Sequence, residues 1–165
     1  MRLLRRRALP PEVRAALTFD RGERVLASAP TRGGSYAVAT TTALHLPTAA
    51  GGYTRIPWER VDHATWKDGV LNVQEADGGP QHHLRLTDPG SVPETVRERV
   101  TTTIAVSHRA ALPGGGTVRI VGRRPATGGD VRWTIVFESG LHPHDPGMRA
   151  QAEQILEDLR RQTGL

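Results

Sequence analysis

The stretch from Gly22 to Leu86, GERVLASAPTRGGSYAVATTTALHLPTAAGGYTRIPWERVDHATWKDGVLNVQEADGGPQHHLRL, decides the fold. Short apolar runs recur in it between turn residues, the spacing expected of a meandering antiparallel sheet. Seven strands are expected, over Arg24–Ala29, Ser35–Thr40, Ala43–Leu46, Tyr53–Pro57, Arg60–Trp66, Val70–Ala76 and His82–Leu86. Thr31-Arg32-Gly33-Gly34 and Lys67-Asp68-Gly69 supply hairpin turns with glycine where φ must be positive. Pro57 marks a strand end or an edge. Val61 and Trp66 have opposite parity in the fifth strand, which predicts a β-bulge between them.

Such a sheet leaves an open end. Val92, Val96, Val100 and Ile104 recur every four residues just beyond it and predict a helix with one apolar stripe that closes it. Ser91-Val92-Pro93-Glu94 fits a capping box at its start. Thr101-Thr102-Thr103 is a weak helix-forming run, so burial must hold that turn. Upstream, Pro10 and Pro11 open a short helix whose Val13, Ala16 and Leu17 share a face. Downstream, Pro113-Gly114-Gly115-Gly116 reads as a linker. Two strands, Thr117–Gly122 and Val131–Glu138, are expected after it. A last helix follows, with Asp145 as N-cap, Pro146 at its first position and Gly164 as C-cap. Met148, Ala152, Ile155, Leu156 and Leu159 form its apolar face.

Composition bounds the chemistry. At 165 residues the chain is long enough to bury a core without covalent staples. Zero cysteine excludes disulfides, thiolate nucleophiles and Cys-ligated metals. The net charge is +5, but Arg2, Arg5, Arg6 and Arg7 carry most of it. Without these four, 18 basic residues face 17 acidic ones, a net of +1. The N-terminus has the charge of a signal-peptide n-region with no apolar h-region after it, and no run approaches a membrane span. A soluble cytoplasmic protein is the expectation.

No catalytic, cofactor or metal signature rises above background. His82 and His83 are adjacent in a strand and point to opposite faces, so they do not share a metal. His142, His144 and Asp145 form an H-x-H-D cluster whose residue types suit zinc or nickel, but a turn with an Asp cap is the favoured reading. His45, His63 and His108 have no neighbours that suggest a triad. Gly114–Gly116 precedes a strand rather than a helix and lacks the N–H cradle of a phosphate loop. Arg2, Arg5, Arg6 and Arg7 could contact nucleic acid or an anionic surface, without the interleaved aromatics that read bases. Arg119, Arg123, Arg124 and Arg132 could add a second basic patch. Trp58, Trp66 and Trp133 read chiefly as packing residues.

Gly22-Glu23-Arg24-Val25-Leu26, the step Ile56-Pro57-Trp58-Glu59-Arg60-Val61, Trp66 and the helix from Val92 to Ile104 together resemble a bacterial pleckstrin-homology-like domain. The whole chain also resembles a group of uncharacterised actinobacterial proteins. The resemblance implies an α+β fold: a seven-stranded antiparallel β-barrel capped by one helix, plus a C-terminal ββα appendage. Residues 1–9 would be a basic arm, 10–112 the barrel with its helices, and 113–165 the appendage, packed on the barrel or on a partner subunit. Lipid-binding members of the class cluster basic residues at the first hairpin. Arg24 and Arg32 alone stand there, which argues against phosphoinositide binding. The functional expectation is a non-enzymatic interaction module that binds a protein partner or itself. The alternative is nucleic-acid or anionic-surface binding through the arginine arm.

Overall fold

The computed structural model describes residues 8–138 and 140–165. Helix α1 (Pro11–Ala16) opens the described chain, with proline in its first turn. Strands β1 (Val25–Pro30), β2 (Tyr36–Thr40), β3 (Ala43–Pro47) and β4 (Tyr53–Pro57) form a four-stranded antiparallel meander. After a 3-10 turn at Trp58–Arg60 come β5 (Val61–Lys67), β6 (Val70–Glu75) and β7 (Gln81–Arg85), a second antiparallel sheet. Helix α2 (Val92–Thr102) packs against β1, β2 and β5 and so bridges the two sheets. All seven strands of the Gly22–Leu86 stretch are present, and the register of β5 on β6 slips between Val61 and His63, where the parity break lies.

The expected closed seven-stranded barrel is not what these strands build. They form two sheets, β1–β4 and β5–β7, and β4 does not pair with β5. Two features divide them. Pro57 has no N–H with which to continue the ladder. Trp58 then turns inward, fully buried, and its indole N–H donates to the carbonyl of Thr40 at 2.9 Å. The chain leaves the first sheet around that anchor and starts the second. On the far side, a single bridge between Thr31 and Leu86 joins the two. Both sheets nevertheless feed one core, in which Leu44, Ile56 and Trp58 meet Leu71, Val73 and the Val92–Val96–Val100 stripe of α2. Each such fully buried side chain is worth roughly 1.5–3 kcal/mol relative to exposure.

The C-terminal unit also departs from expectation. It is βββα rather than ββα. Strands β8 (Ile104–Ala111), β9 (Thr117–Arg123) and β10 (Arg132–Phe137) form a third sheet in the order β10-β9-β8, and α3 (Pro146–Thr163) packs on it. The apolar stripe of α2 stops at Val100. Ile104 begins β8 and is 38% exposed. The threonine run ends the helix: the Thr102 hydroxyl donates to Glu98 O at 2.7 Å and the Thr103 hydroxyl to Val100 O at 2.8 Å. The Ser91–Glu94 capping box does not form, since the Ser91 side chain makes no capping hydrogen bond. The caps of α3 are as expected, with the Asp145 carboxylate accepting from Met148 N at 3.0 Å and Gly164 left-handed at φ 71°.

Pro113–Gly116 is the turn of the β8–β9 hairpin, closed by Leu112 N–H donating to Gly116 O at 2.8 Å, and not a linker between units. Gly116 has φ +90°, and a Cβ there would lie 2.4 Å from Leu141 Cδ2. Gly116→Ala therefore meets backbone strain and a clash together, with an expected loss of about 1–3 kcal/mol in urea unfolding. An unchanged midpoint would show that the turn relaxes freely. Among the described residues, no helix is long and apolar enough to cross a membrane.

Candidate functional site

Strand β5 is an edge strand, with β6 on one side and no second strand neighbour among the described residues. Its register fixes what that edge presents. Asp68 (φ 51°) and Gly69 (φ 76°) make a two-residue turn with both central φ angles positive, so Lys67 and Val70 flank it as a hydrogen-bonded pair. Pairs alternate along an antiparallel ladder. Thr65 therefore bonds to Asn72 of β6, while Ala64 and Trp66 turn their N–H and C=O groups away from the sheet. Toward the other end of β5 the edge is capped. Asp62 O accepts from Arg123 Nη2 at 2.7 Å. Among the described residues, the Ala64–Trp66 segment of this edge has no strand or side chain paired to its outward backbone groups.

Beside this segment lies a groove of about 430 Å³ between β5 and α2. Ala64, Trp66 and Leu71 line its sheet side, and Pro93, Val96 and Arg97 line its helix side. Trp66 pairs across the strands with Leu71, so its side chain stands on the core face of the sheet. It lies beyond the edge of the core and is 39% exposed. An exposed tryptophan in an apolar cleft is the residue type that most often carries binding energy. The other two tryptophans behave as packing residues: Trp58 is buried, and Trp133 is half-buried against the α3 core.

A second polar cluster sits at the end of the first sheet. The Glu23 carboxylate is fully buried and holds His45 Nε2 at 2.9 Å, Arg55 Nε and Nη2 at 3.3 Å, the Thr40 hydroxyl, and Asp20 N at 2.7 Å. Phe19 covers the His45 ring at 5.4 Å between centroids. Burial alone would raise the Glu23 pKa. The Thr40 hydroxyl, the Asp20 N–H, His45 and Arg55 outweigh it and hold the carboxyl at about 2. Every oxygen of Glu23 is taken, and the group is locked as an anion. That is the electrostatics of a structural knot joining the α1–β1 connection to β2, β3 and β4, not of a general acid. Sequence reasoning missed it. The available signal was His45 between Leu44 and Leu46, a polar side chain in a strand buried on both faces.

The other sequence-derived candidates are dispersed. Arg2, Arg5, Arg6 and Arg7 lie outside the described residues. The second basic patch does not assemble as a cationic surface. Arg119 pairs with Asp62 at 3.2 Å and Arg132 with Asp77 at 2.6 Å. Arg123, though opposite Arg132 in register, is only 2% exposed and donates to Val100 O, Thr103 Oγ1 and Asp62 O. Arg124 reaches Gly129 O at 3.3 Å. His82 bonds to Glu75 at 2.8 Å, and His83 bonds to Asn72. His142 and His144 are exposed, and Asp145 is committed to capping α3. Among the described residues, no group of three or more His, Asp or Glu side chains is placed to hold a metal ion.

Comparison with protein-family models, with curated proteins and with solved structures finds no match to this chain.

Proposed function

We propose that the protein is a non-enzymatic interaction module that takes a short extended segment of a protein partner onto the open edge of β5. One observation carries this reading: the unpaired backbone groups of Ala64 and Trp66 adjoin the apolar groove in which the Trp66 ring is exposed. An added strand would satisfy those N–H and C=O groups and drop alternate side chains into the groove, the logic of β-augmentation. The arginine cap at Asp62 limits the docked segment to a few residues. An uncapped edge of full length would be an aggregation hazard, whereas a short one beside a pocket is selective. Glu94 and Arg97, both exposed on α2, put one charge of each sign at the groove.

Selection of a displayed random-peptide library on the full chain tests the reading. Enriched peptides are expected to lose about 2 kcal/mol or more against Trp66→Ala, roughly thirtyfold in affinity. They should also weaken against Ala64→Pro, which deletes one edge N–H and leaves Trp66 and the helix side of the groove in place. Absence of any enriched peptide, or peptides indifferent to both substitutions, would sink the proposal.

A further inference from the structure

We infer that the notch between the end of α2 and the β9–β10 loop is an oxyanion-binding site, built for a phosphate or carboxylate group. The notch encloses about 200 Å³, with Arg99 and Thr102 on one wall, Arg124, Pro125 and Ala126 on the other, and Trp58 against its floor. It is smaller than the clefts that hold whole drug-sized ligands, so it suits one functional group. Arg99 and Arg124 both line it, and neither pairs with a carboxylate among the described residues. Among the described residues, Arg99 Nε is buried and has no hydrogen-bond partner. A buried donor of a charged group left unmade is costly, and a bound oxyanion is the partner that two guanidinium groups match best.

The end of a helix carries partial negative charge and opposes an anion. Here two carbonyls of that end are already occupied. Val100 O accepts from Arg123 Nη1 and from the Thr103 hydroxyl, and Thr103 O accepts from Arg124 N at 2.8 Å. Arg123 brings a third, buried cation to the same helix end. The charged residues that line the notch are Arg99 and Arg124, and the Thr102 hydroxyl there is already donated to Glu98 O. The site thus offers cations and N–H donors to an incoming group, and the apolar Pro125 and Ala126 beside them suit a monoester or an organic acid.

The test is a nuclear magnetic resonance titration of the full chain that follows the Arg99 Nε–H signal. One arm uses inorganic phosphate and the other acetate, each at constant ionic strength set with sodium chloride, because exposed charges respond to salt alone. A saturable shift is expected with phosphate, and Arg124→Gln should weaken it at least about tenfold while leaving the amide spectrum folded. Saturation by acetate, instead or as well, assigns the carboxylate source within the same site. If neither ion saturates the signal, or Arg124→Gln leaves both titrations unchanged, the inference is overturned.

Discussion

Arg123→Met is expected to lower the unfolding free energy by about 3 kcal/mol. Arg123 is the strut between the two parts of the fold. Its guanidinium leaves β9 and reaches Val100 O at 3.2 Å, Thr103 Oγ1 at 3.0 Å and Asp62 O at 2.7 Å, so one side chain ties β9 to the end of α2 and to β5. Burial pushes its pKa below the ordinary arginine value; the Asp62 carboxylate opposes that shift and Arg119 adds to it. Methionine fills much of the volume but leaves the Asp62 carbonyl without its donor, removes a helix-end cation from α2, and breaks three hydrogen bonds to a charged group. In thermal melts the loss corresponds to a drop of about 10 °C for a chain of this size. Arg123→Lys should recover less than half of it, because a point ammonium does not span three acceptors as a planar fork does. A solvent-facing member of a basic patch would shift stability by at most about 0.5 kcal/mol. A loss that small would remove Arg123 from this role. Thr103→Val made alone and with Arg123→Met closes a cycle in which a coupling of about 0.5–3 kcal/mol is expected for groups in contact.

Much of the first sheet pair was legible because its signals are local. Asp68-Gly69 demands positive φ at both turn positions, and the structure supplies 51° and 76°. The Val61–Trp66 parity break marks the bulge. Asp145 and Gly164 cap α3 by chemistry that acts within a few residues. What was not legible is long-range. Strand spacing does not say whether β4 pairs with β5, and the burial of Trp58 against Thr40, which separates the sheets, joins residues 18 positions apart. The stripe Val92–Val96–Val100–Ile104 read as one helix because β-branched residues fit both periods. Threonine hydroxyls bonding back to Glu98 and Val100 decided where the helix gives way to β8. The groove was visible only in part. Trp66 read as packing because the chain has few aromatic residues, and its exposure follows from where the core ends.

Acid should remove a contribution of roughly 3 kcal/mol that Glu23 makes at neutral pH. The carboxyl falls from an ordinary 4.5 to about 2 in the folded chain. A depressed carboxyl binds its proton more weakly folded than unfolded. Its contribution is therefore complete above about pH 4.5 and is lost as pH falls through about 2. Glu23→Gln isolates that contribution. The amide keeps the shape of the side chain but carries no negative charge for Arg55 and His45, and its N–H₂ group faces positions now filled by donors. Urea unfolding of both proteins across pH 7 to 2 should give a stability gap of about 3 kcal/mol that stays level down to about pH 5 and then narrows steadily. A gap that stays constant with pH, or widens in acid, would mean that Glu23 is not the locked anion its partners imply. Thr40→Val offers the geometric control. It deletes the hydroxyl that donates to Glu23 Oε1 and accepts from Ala43 N at 3.0 Å, so it should shift the acid limb to higher pH as well as lower stability at pH 7.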